Sequence, residues 1–505
     1  GSRMAYNFEH AALYPPITKQ SLSELDIASI INNPKLRHDV NFDRELHFRP
    51  NFDGAKGKMK LKNAEEYWSA LAAELELYAV LFDDSRFSDV CSEASKVTVL
   101  RVARKRIPLM FDTIRDIIRN LVPECDQARV EEQLDTPMLM QQIERGVCDL
   151  ASIASWLSHL LKAHCAPVRD EWVDKMVEQI DTGTRNASGR MMVNGLRELL
   201  GILEAMKLDV ANHQIRHLRA LLIEDTVNFE QKYHLERISR RRILVDRSQH
   251  WYALQEVDQQ DLDSNPKCKD PGSRVLIQGL LSLLTSGDRH RPFPETFYLD
   301  FERLRVLRAE FRDQVYLRMC SETFTSIIRR LGHKDSVSAH TQKTLRETIY
   351  ALVPINENSG SSSIQHWLVN VDNIAVELVR RALFLCGQAT EYDGELVQVV
   401  STQLRRLISM DNGQEFADYA RPLKDTLATL VLGSAGSCAS LSPVDIFNAL
   451  IMPTSASSPR TGIISPDLAA GVSKEIPEEN YLTDIARRIT HIAVVHWRIW
   501  GPIVY

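Results

Sequence analysis

The chain has 505 residues, 44% of them hydrophobic and 25% charged, with a formal net charge of −6. That is the balance of a globular protein with apolar side chain enough for one large core or several, so two or three subdomains are expected. No run of roughly 18 or more uncharged apolar residues occurs and no basic-then-apolar leader opens the chain, which argues against a membrane span and secretion and for a cytoplasmic or nuclear protein. The acidic balance and the lack of a recognised reading module argue against nucleic acid as a partner.

Residues 1–12 read as a tag, Gly1 to Arg3, followed by a disordered N-terminus, and residues 13–60 as an extended leading segment packed on helices. Within that segment Phe42, Arg44, Leu46 and Phe48 alternate until Pro50 closes the run, a pattern that suits a strand or an extended strip. From residue 61 the pattern is helical. Asn63 can cap, Glu66 can return the bond three residues on, and Trp68, Leu71, Leu75, Tyr78 and Phe82 follow at helical steps. Ile107, Phe111, Ile114, Ile118 and Leu121 form a second apolar stripe, and Met192, Leu196, Leu199, Leu203 and Met206 a third. Further stripes run from Leu304 to Ile327, Trp367 to Leu385 and Ile485 to Trp500. The best break is Asp261 to Gly272, with Pro266 and Pro271, and it separates an N-terminal helical lobe, 61–262, from a C-terminal one, 273–505. Residues 356–363 read as a flexible connection and 452–467 as a mobile serine- and proline-rich loop. No solenoid period is present. The expected fold is all-α: an irregular multi-helix bundle in two packed lobes, with a short extended N-terminal segment.

Local signatures of catalysis are missing: there is no GxxxxGK[ST] or GxGxxG loop, no HExxH, no GxSxG and no kinase HRD with DFG. The eight cysteines, at 91, 125, 148, 165, 268, 320, 386 and 438, form no CxxC pair and read as reduced thiols. His213 and His217 lie four apart on one helix face, a zinc spacing, but no nearby cysteine or acidic pair completes a ligand set, so they read as a surface or packing pair and no metal or cofactor is expected. His164 and Cys165 are neighbours, which on a helix point apart, so they read as a helix end rather than as base and nucleophile.

Cys165, Pro167, Arg169 and Asp170 together read as a fixed corner, in which Pro167 breaks one helix, Asp170 caps the next and Arg169 bonds the carbonyls left exposed. Arg37, Asp39, Asp43 and Arg44 in the leading segment, with Glu45, read largely as a paired and solvated face. Arg101, Arg104, Lys105 and Arg106 open the helix that ends at Leu121, a pattern shared with calmodulin targets and membrane-surface helices, although its apolar stripe is needed by the core. Arg237, Arg240, Arg241, Arg242 and Arg247, with Ile238, Ile243, Leu244 and Val245 between them, are the candidates for receiving a phosphate or an acidic partner helix.

Three separated blocks resemble one known family. CAPVRDEW from Cys165, with the helical run from Gly201 to His234 that ends FEQKYH, resembles the central signature of the T-complex protein 11 family. The stretches Leu13 to Asp26 and Asn33 to Asn51 resemble the opening of its fungal branch, and HWRIWGPIVY, His496 to Tyr505, is similar to the family's last helix. The resemblance implies a helical protein without catalytic activity, and it associates fungal members with cyclic-AMP and protein kinase A signalling and animal members with sperm function through the same pathway. The expected function is therefore a non-catalytic adaptor or regulator of that signalling acting through protein contacts. Its expected partner is a protein kinase A subunit or an upstream component, met through the leading segment and the helices from Cys165 to Arg247. The alternatives are a small-ligand or phosphate sensor whose basic pocket is lined by those arginines, and an enzyme of unrecognised type. Arg487-Arg488-Ile489-Thr490 has the two-arginine spacing that protein kinase A prefers before its target hydroxyl, which makes Thr490 a candidate phosphorylation site inside a packed terminal helix.

Overall fold

The computed structural model describes residues 8–50, 52–82, 104–145, 147–186, 188–260, 270–288, 290–332, 337–353, 363–387, 394–410, 413–451 and 478–505. Cys91, Arg101, Cys268 and the segments 356–362 and 452–467 lie outside them. Among the described residues every regular element is a helix and none is a strand, so the protein is all-α. Two compact units are present: Gly1–Arg37 with Glu45–Arg219, and His38–Arg44 with Ala220–Tyr505. The division expected at 261–272 falls inside the second unit, and residues 261–269 lie outside the described ones.

The first unit is built on α1 (Lys19–Leu22), α2 (Ile27–Asn32), α3 (Pro34–Asp39), α4 (Gly54–Phe82), α5 (Ile107–Leu121), α6 (Glu124–Gln133), α7 (Thr136–Glu144), α8 (Leu150–His164), α9 (Asp170–Arg185) and α10 (Gly189–Glu224). Unit boundaries fall within α3 and α10. Three short helices thus occupy part of the leading segment. The alternating run from Phe42 to Phe48 forms no strand. Instead the Phe48 N–H donates to Asn212 Oδ1 (2.5 Å) and Asn212 Nδ2 donates back to the Phe48 carbonyl (3.0 Å), so a side-chain amide on α10 takes the place of a neighbouring strand.

α4 starts at Gly54, nine residues before the expected cap, because the run GAKGKMKLK contains no strong breaker after the left-handed Gly54 (φ +69°); Asn63 is an exposed interior residue. Trp68, Leu71, Leu75 and Tyr78 are buried. On the same helix Glu74, fully buried, accepts the backbone N–H groups of Lys105 (3.1 Å), Arg106 (2.9 Å) and Ile107 (3.0 Å), and so caps α5 from a different helix. The Arg106 guanidinium, also fully buried, donates to the carbonyls of Phe8 (3.0 Å), Ala11 (2.9 Å) and Ala12 (2.9 Å). Arg106 is therefore an internal tie, not part of an exposed basic face, and Arg104 pairs with Glu144 (3.3 Å).

The second unit comprises α11 (Thr226–Ser239), α12 (Asp246–Gln260), α13 (Pro271–Leu284), α14 (Phe301–Arg330), α15 (Ala339–Leu352), α16 (Ser363–Leu385), α17 (Gly394–Ser409), α18 (Gln414–Cys438), α19 (Pro443–Ile451) and α20 (Glu478–Trp500). α20 is its axis, packed against α11, α13, α14, α18 and α19. Every residue from Ile489 to His496 is buried, as are Ile499 and Trp500, so this stretch of the helix shows solvent no face, and only Trp497 and Arg498 in its last turn are half-buried. The terminal GPIVY folds back on it: the Trp500 carbonyl accepts the Val504 N–H (2.9 Å), and the Tyr505 hydroxyl lies 2.7 Å from that of Thr296.

Asp270 joins α13 to α20. One oxygen caps α13 through the Gly272 N–H (3.1 Å), and the other accepts the Trp497 indole N–H (2.6 Å). The indole then lies so close to Gly272 that a Cβ there would sit 2.5 Å from Trp497 Cη2. Gly272→Ala is expected to destabilise the second unit by about 1–3 kcal/mol, the usual cost of overpacking, and chemical denaturation followed by tryptophan fluorescence measures it.

Candidate functional site

Asn33 and Pro34 start α3: the Asn33 side chain accepts the Leu36 N–H (3.2 Å), and Pro34 arrives with its φ preset. Near the end of that helix His38 enters the core of the second unit, only 4% exposed. Its Nδ1 lies 3.0 Å and 3.2 Å from the two oxygens of Glu230 on α11, and its Nε2 lies 3.0 Å from Asp300 Oδ1, one residue ahead of α14. Both carboxylates are buried as well.

A neutral imidazole has one N–H, so a carboxylate at each nitrogen selects the doubly protonated ring. Burial disfavours that cation, but Asp300 and Glu230 outweigh burial and raise the His38 pKa to about 10. Burial likewise works against ionised Glu230 and Asp300, and the His38 charge overcomes it, holding both below the usual carboxylate range.

The charges continue in alternation. Arg303 on α14 donates to Asp300 Oδ1 (3.0 Å) and to Asp39, and its guanidinium lies 4.4 Å from the centre of the Phe42 ring. Glu230, His38, Asp300, Arg303 and Asp39 therefore change sign at each step. Asn41 fixes the backbone beside them, donating to the His38 carbonyl and to Thr226 Oγ1, each at 3.1 Å. Around this chain pack three more histidines. His234, one turn beyond Glu230, has its Nε2 3.5 Å from Glu230 Oε2 and stacks on Trp500 at 4.2 Å. His496 stacks on Phe297 at 3.7 Å, and His491 meets Phe42 at 4.6 Å. Burial pushes both His491 and His496 down to about 3, so these two rings are neutral.

With both N–H groups engaged, His38 offers no lone pair to a proton, a metal or an electrophile. The cluster is an electrostatic tie that holds His38–Arg44 against α11, α14 and α20. Sequence reasoning did not single it out. Glu230 and His234 at a four-residue spacing inside FEQKYH were the only local signal, since the two partners of His38 lie 192 and 262 residues away.

The residues that sequence reasoning did select are dispersed. Of the run read as largely a paired and solvated face, Asp43, Arg44 and Glu45 are exposed, whereas Arg37 is buried and Asp39 is half-buried at the end of the charge chain. At the corner, α8 ends at His164 and Cys165 caps it, but Asp170 is the first residue of α9 and caps nothing through its side chain. Arg169 reaches Asp209 on α10 (2.7 Å) instead of helix-end carbonyls, and His164 binds Asp126 (3.0 Å) while burial raises the Cys165 thiol to about 11. Thr490 is fully buried and donates to the Ala486 carbonyl (2.8 Å), so a kinase reaches it only if α20 opens.

Arg237 donates to the Tyr233 hydroxyl (2.7 Å) and Arg240 pairs with Glu236 (2.6 Å), while Arg240, Arg241, Arg242 and Arg247 are all exposed. None of them lines the two best-formed cavities among the described residues. A cavity of about 50 Å³ lies in the first unit, walled by apolar side chains such as Leu71, Met110, Ile114 and Leu157. The convergence required for a basic sensor pocket is therefore not met by these arginines. Among the described residues, no helix is long and apolar enough to cross a membrane.

The T-complex protein 11 family model matches residues 36–505. The chain belongs to the T-complex protein 11 family. It is 32% identical to Protein SOK1 of Saccharomyces cerevisiae over 375 residues, covering 73% of this chain and 40% of that protein. T-complex protein 11-like X-linked protein 1 of Homo sapiens is 30% identical over 224 residues, 40% of this chain and 43% of its own length. T-complex protein 11 of Mus musculus is 26% identical over 277 residues, 50% and 43% of the two chains. The chain thus spans less than half the length of these curated relatives. No solved structure matches it.

The cluster around His38 predicts a bell-shaped stability. Above pH 6.5 the folded chain keeps the His38 proton that the unfolded chain releases, so stability falls by on the order of 1 kcal/mol per pH unit up to about 10. Below 6.5 the unfolded chain takes up protons on His491 and His496 that the folded chain refuses until about pH 3, so stability falls again. Denaturation midpoints across pH 4–10 measure both limbs. In His38→Gln the alkaline limb is expected to disappear, and stability at neutral pH to drop by about 3–5 kcal/mol because two carboxylates then face each other without their cation.

Proposed function

We propose that this chain is a non-catalytic regulator of cyclic-AMP–protein kinase A signalling that acts through protein contacts, with the exposed arginine turn between α11 and α12 as its recognition point. Membership in the family of Protein SOK1 and the T-complex protein 11 homologues supports a regulatory, non-enzymatic role at the coarse level. What carries the finer reading is the conformation of Arg241. α11 ends with the Arg242 N–H bonded to the Arg237 carbonyl (2.8 Å) and the Arg241 N–H to that of Ile238 (2.9 Å), a Schellman cap whose left-handed position usually belongs to glycine. Arg241 holds that position at φ +52°, the only non-glycine at positive φ among the described residues. A β-carbon there costs about 1–2 kcal/mol. Strain of this kind, kept at an exposed arginine with Arg240 and Arg242 on either side, fits a side chain retained for what it binds. The chemistry suits an acidic or phosphorylated segment met by several guanidiniums at once.

His38–Arg44 is fixed to α11 by the bonds of His38 to Glu230 and of Asn41 to Thr226, so Asp43 and Arg44 are presented with the helix that carries the arginine turn.

Calorimetry of the chain against the catalytic and the regulatory subunit of protein kinase A, with and without cyclic AMP, tests the proposal. Binding is expected to one of them and to be lost in the Arg240→Ala, Arg241→Ala, Arg242→Ala triple variant, whose fold is checked by circular dichroism. Arg241→Gly separates stability from recognition: it is expected to raise stability by up to about 1 kcal/mol while weakening the complex. Absence of binding to either subunit refutes direct contact with the kinase, and an unaffected triple variant refutes this surface.

A further inference from the structure

His213 and His217 stand on the outer face of α10, both exposed, while Ala211 and Ile215 beside them point into the core and are fully buried. One helical turn separates them, which brings their rings over one another with centroids 4.2 Å apart. The two Nε2 atoms are 2.9 Å apart. In the absence of metal a single proton satisfies that geometry, one ring donating its N–H to the lone pair of the other. The same separation has a second meaning. Two nitrogens bound to one divalent metal at about 2.0–2.1 Å lie about 2.8–3.0 Å apart when they are cis in a square-planar or octahedral sphere, and about 3.3–3.4 Å apart in a tetrahedral one. The hydrogen-bonded separation already matches the first arrangement in length, so displacing the shared proton and turning the rings toward one metal requires little change in the distance between the nitrogens.

We propose that His213 and His217 form a two-nitrogen chelate for a divalent transition metal with a cis, near-right-angle coordination preference, of the copper(II) or nickel(II) class. Four features of the chain favour it. The donors sit on an uninterrupted helix, so the backbone sets their spacing and little ordering is needed on binding. Both rings face solvent, so metal and water have access to the open positions. Arg216, exposed between them in sequence, is drawn away to the Asn212 carbonyl (3.2 Å). Asp209, one turn earlier on the helix, is engaged by Arg169 through Oδ2 (2.9 and 2.7 Å). Among the described residues no set of three or more histidine, cysteine or acidic side chains is arranged around a common metal position, so the remaining coordination sites are left to water or to a second molecule.

The test is titration of the intact chain with copper(II), in a buffer without nitrogen donors, followed by calorimetry and by electron paramagnetic resonance for nitrogen coupling. One copper per chain with two coupled nitrogens is expected at this site. His213→Ala and His217→Ala are each expected to weaken it at least about tenfold and to a similar degree, as removal of either arm of a chelate does. Both side chains are exposed, so circular dichroism is expected to be unchanged in the variants. Zinc(II) is expected to bind the wild-type chain at least about tenfold more weakly than copper(II). Loss of affinity in only one of the two variants, or in neither, overturns the chelate.

Discussion

The arrangement of the second unit depends on one protonated imidazole. His38 is held between Glu230 and Asp300, all three buried, and each ion is tolerable only because the others are in place. That mutual dependence makes the cluster specific more than strong. An apolar trio of equal volume would bury as well, but it would accept a slipped register, whereas the charge chain accepts one register of His38–Arg44 on α11 and α14. The aromatic rings around it, Phe42, Phe297 and Trp500, exclude water and keep the dielectric low enough for the alternation of sign to matter. α20 passes through this same region, which is why its stretch from Ile489 to His496 is buried on every side and carries histidines held neutral.

The first unit solves a related problem with the opposite pairing of roles. There a carboxylate, Glu74, caps the exposed N–H groups at the start of α5, and a cation, Arg106, caps three carbonyls between Phe8 and Ala12. Both units therefore fasten residues from the first part of the chain by burying ionised side chains against it. In both units the buried carboxylates are engaged by groups of the protein itself: Glu74 by three backbone N–H groups, Glu230 and Asp300 by His38. At the surface, the arginine turn is distinguished from ordinary solvated charge by its backbone: a helix C-terminus favours cations by its dipole, but the dipole does not require the one in the left-handed position.

Much of the architecture was legible from the periodicity of apolar residues, because a helix of ten or more residues must show the core one face and the pattern of that face survives in sequence. The stripes beginning at Trp68, Ile107 and Ile485 are helices, and the break at Pro167 is a corner. Local signals also misled where a cheaper local solution existed. Asn63 has the sequence of a cap but lies inside a helix that nothing interrupted, and Asp170 lost the capping role when the short turn Pro167–Arg169 ran straight into α9.

The sequence by itself determined the all-α class, the family and the absence of local catalytic signatures, since each is written in spacings of a few residues. Only the tertiary structure decided which charges are buried. Arg37 and Asp39 read as solvated and lie in or near the core, Arg106 reads as a basic surface and is an internal tie, and His38 carried no signal at all. The physical reason is that a charge's environment is set by partners tens to hundreds of residues away, and neither a pKa nor the worth of an ion pair exists until the fold has brought them into contact.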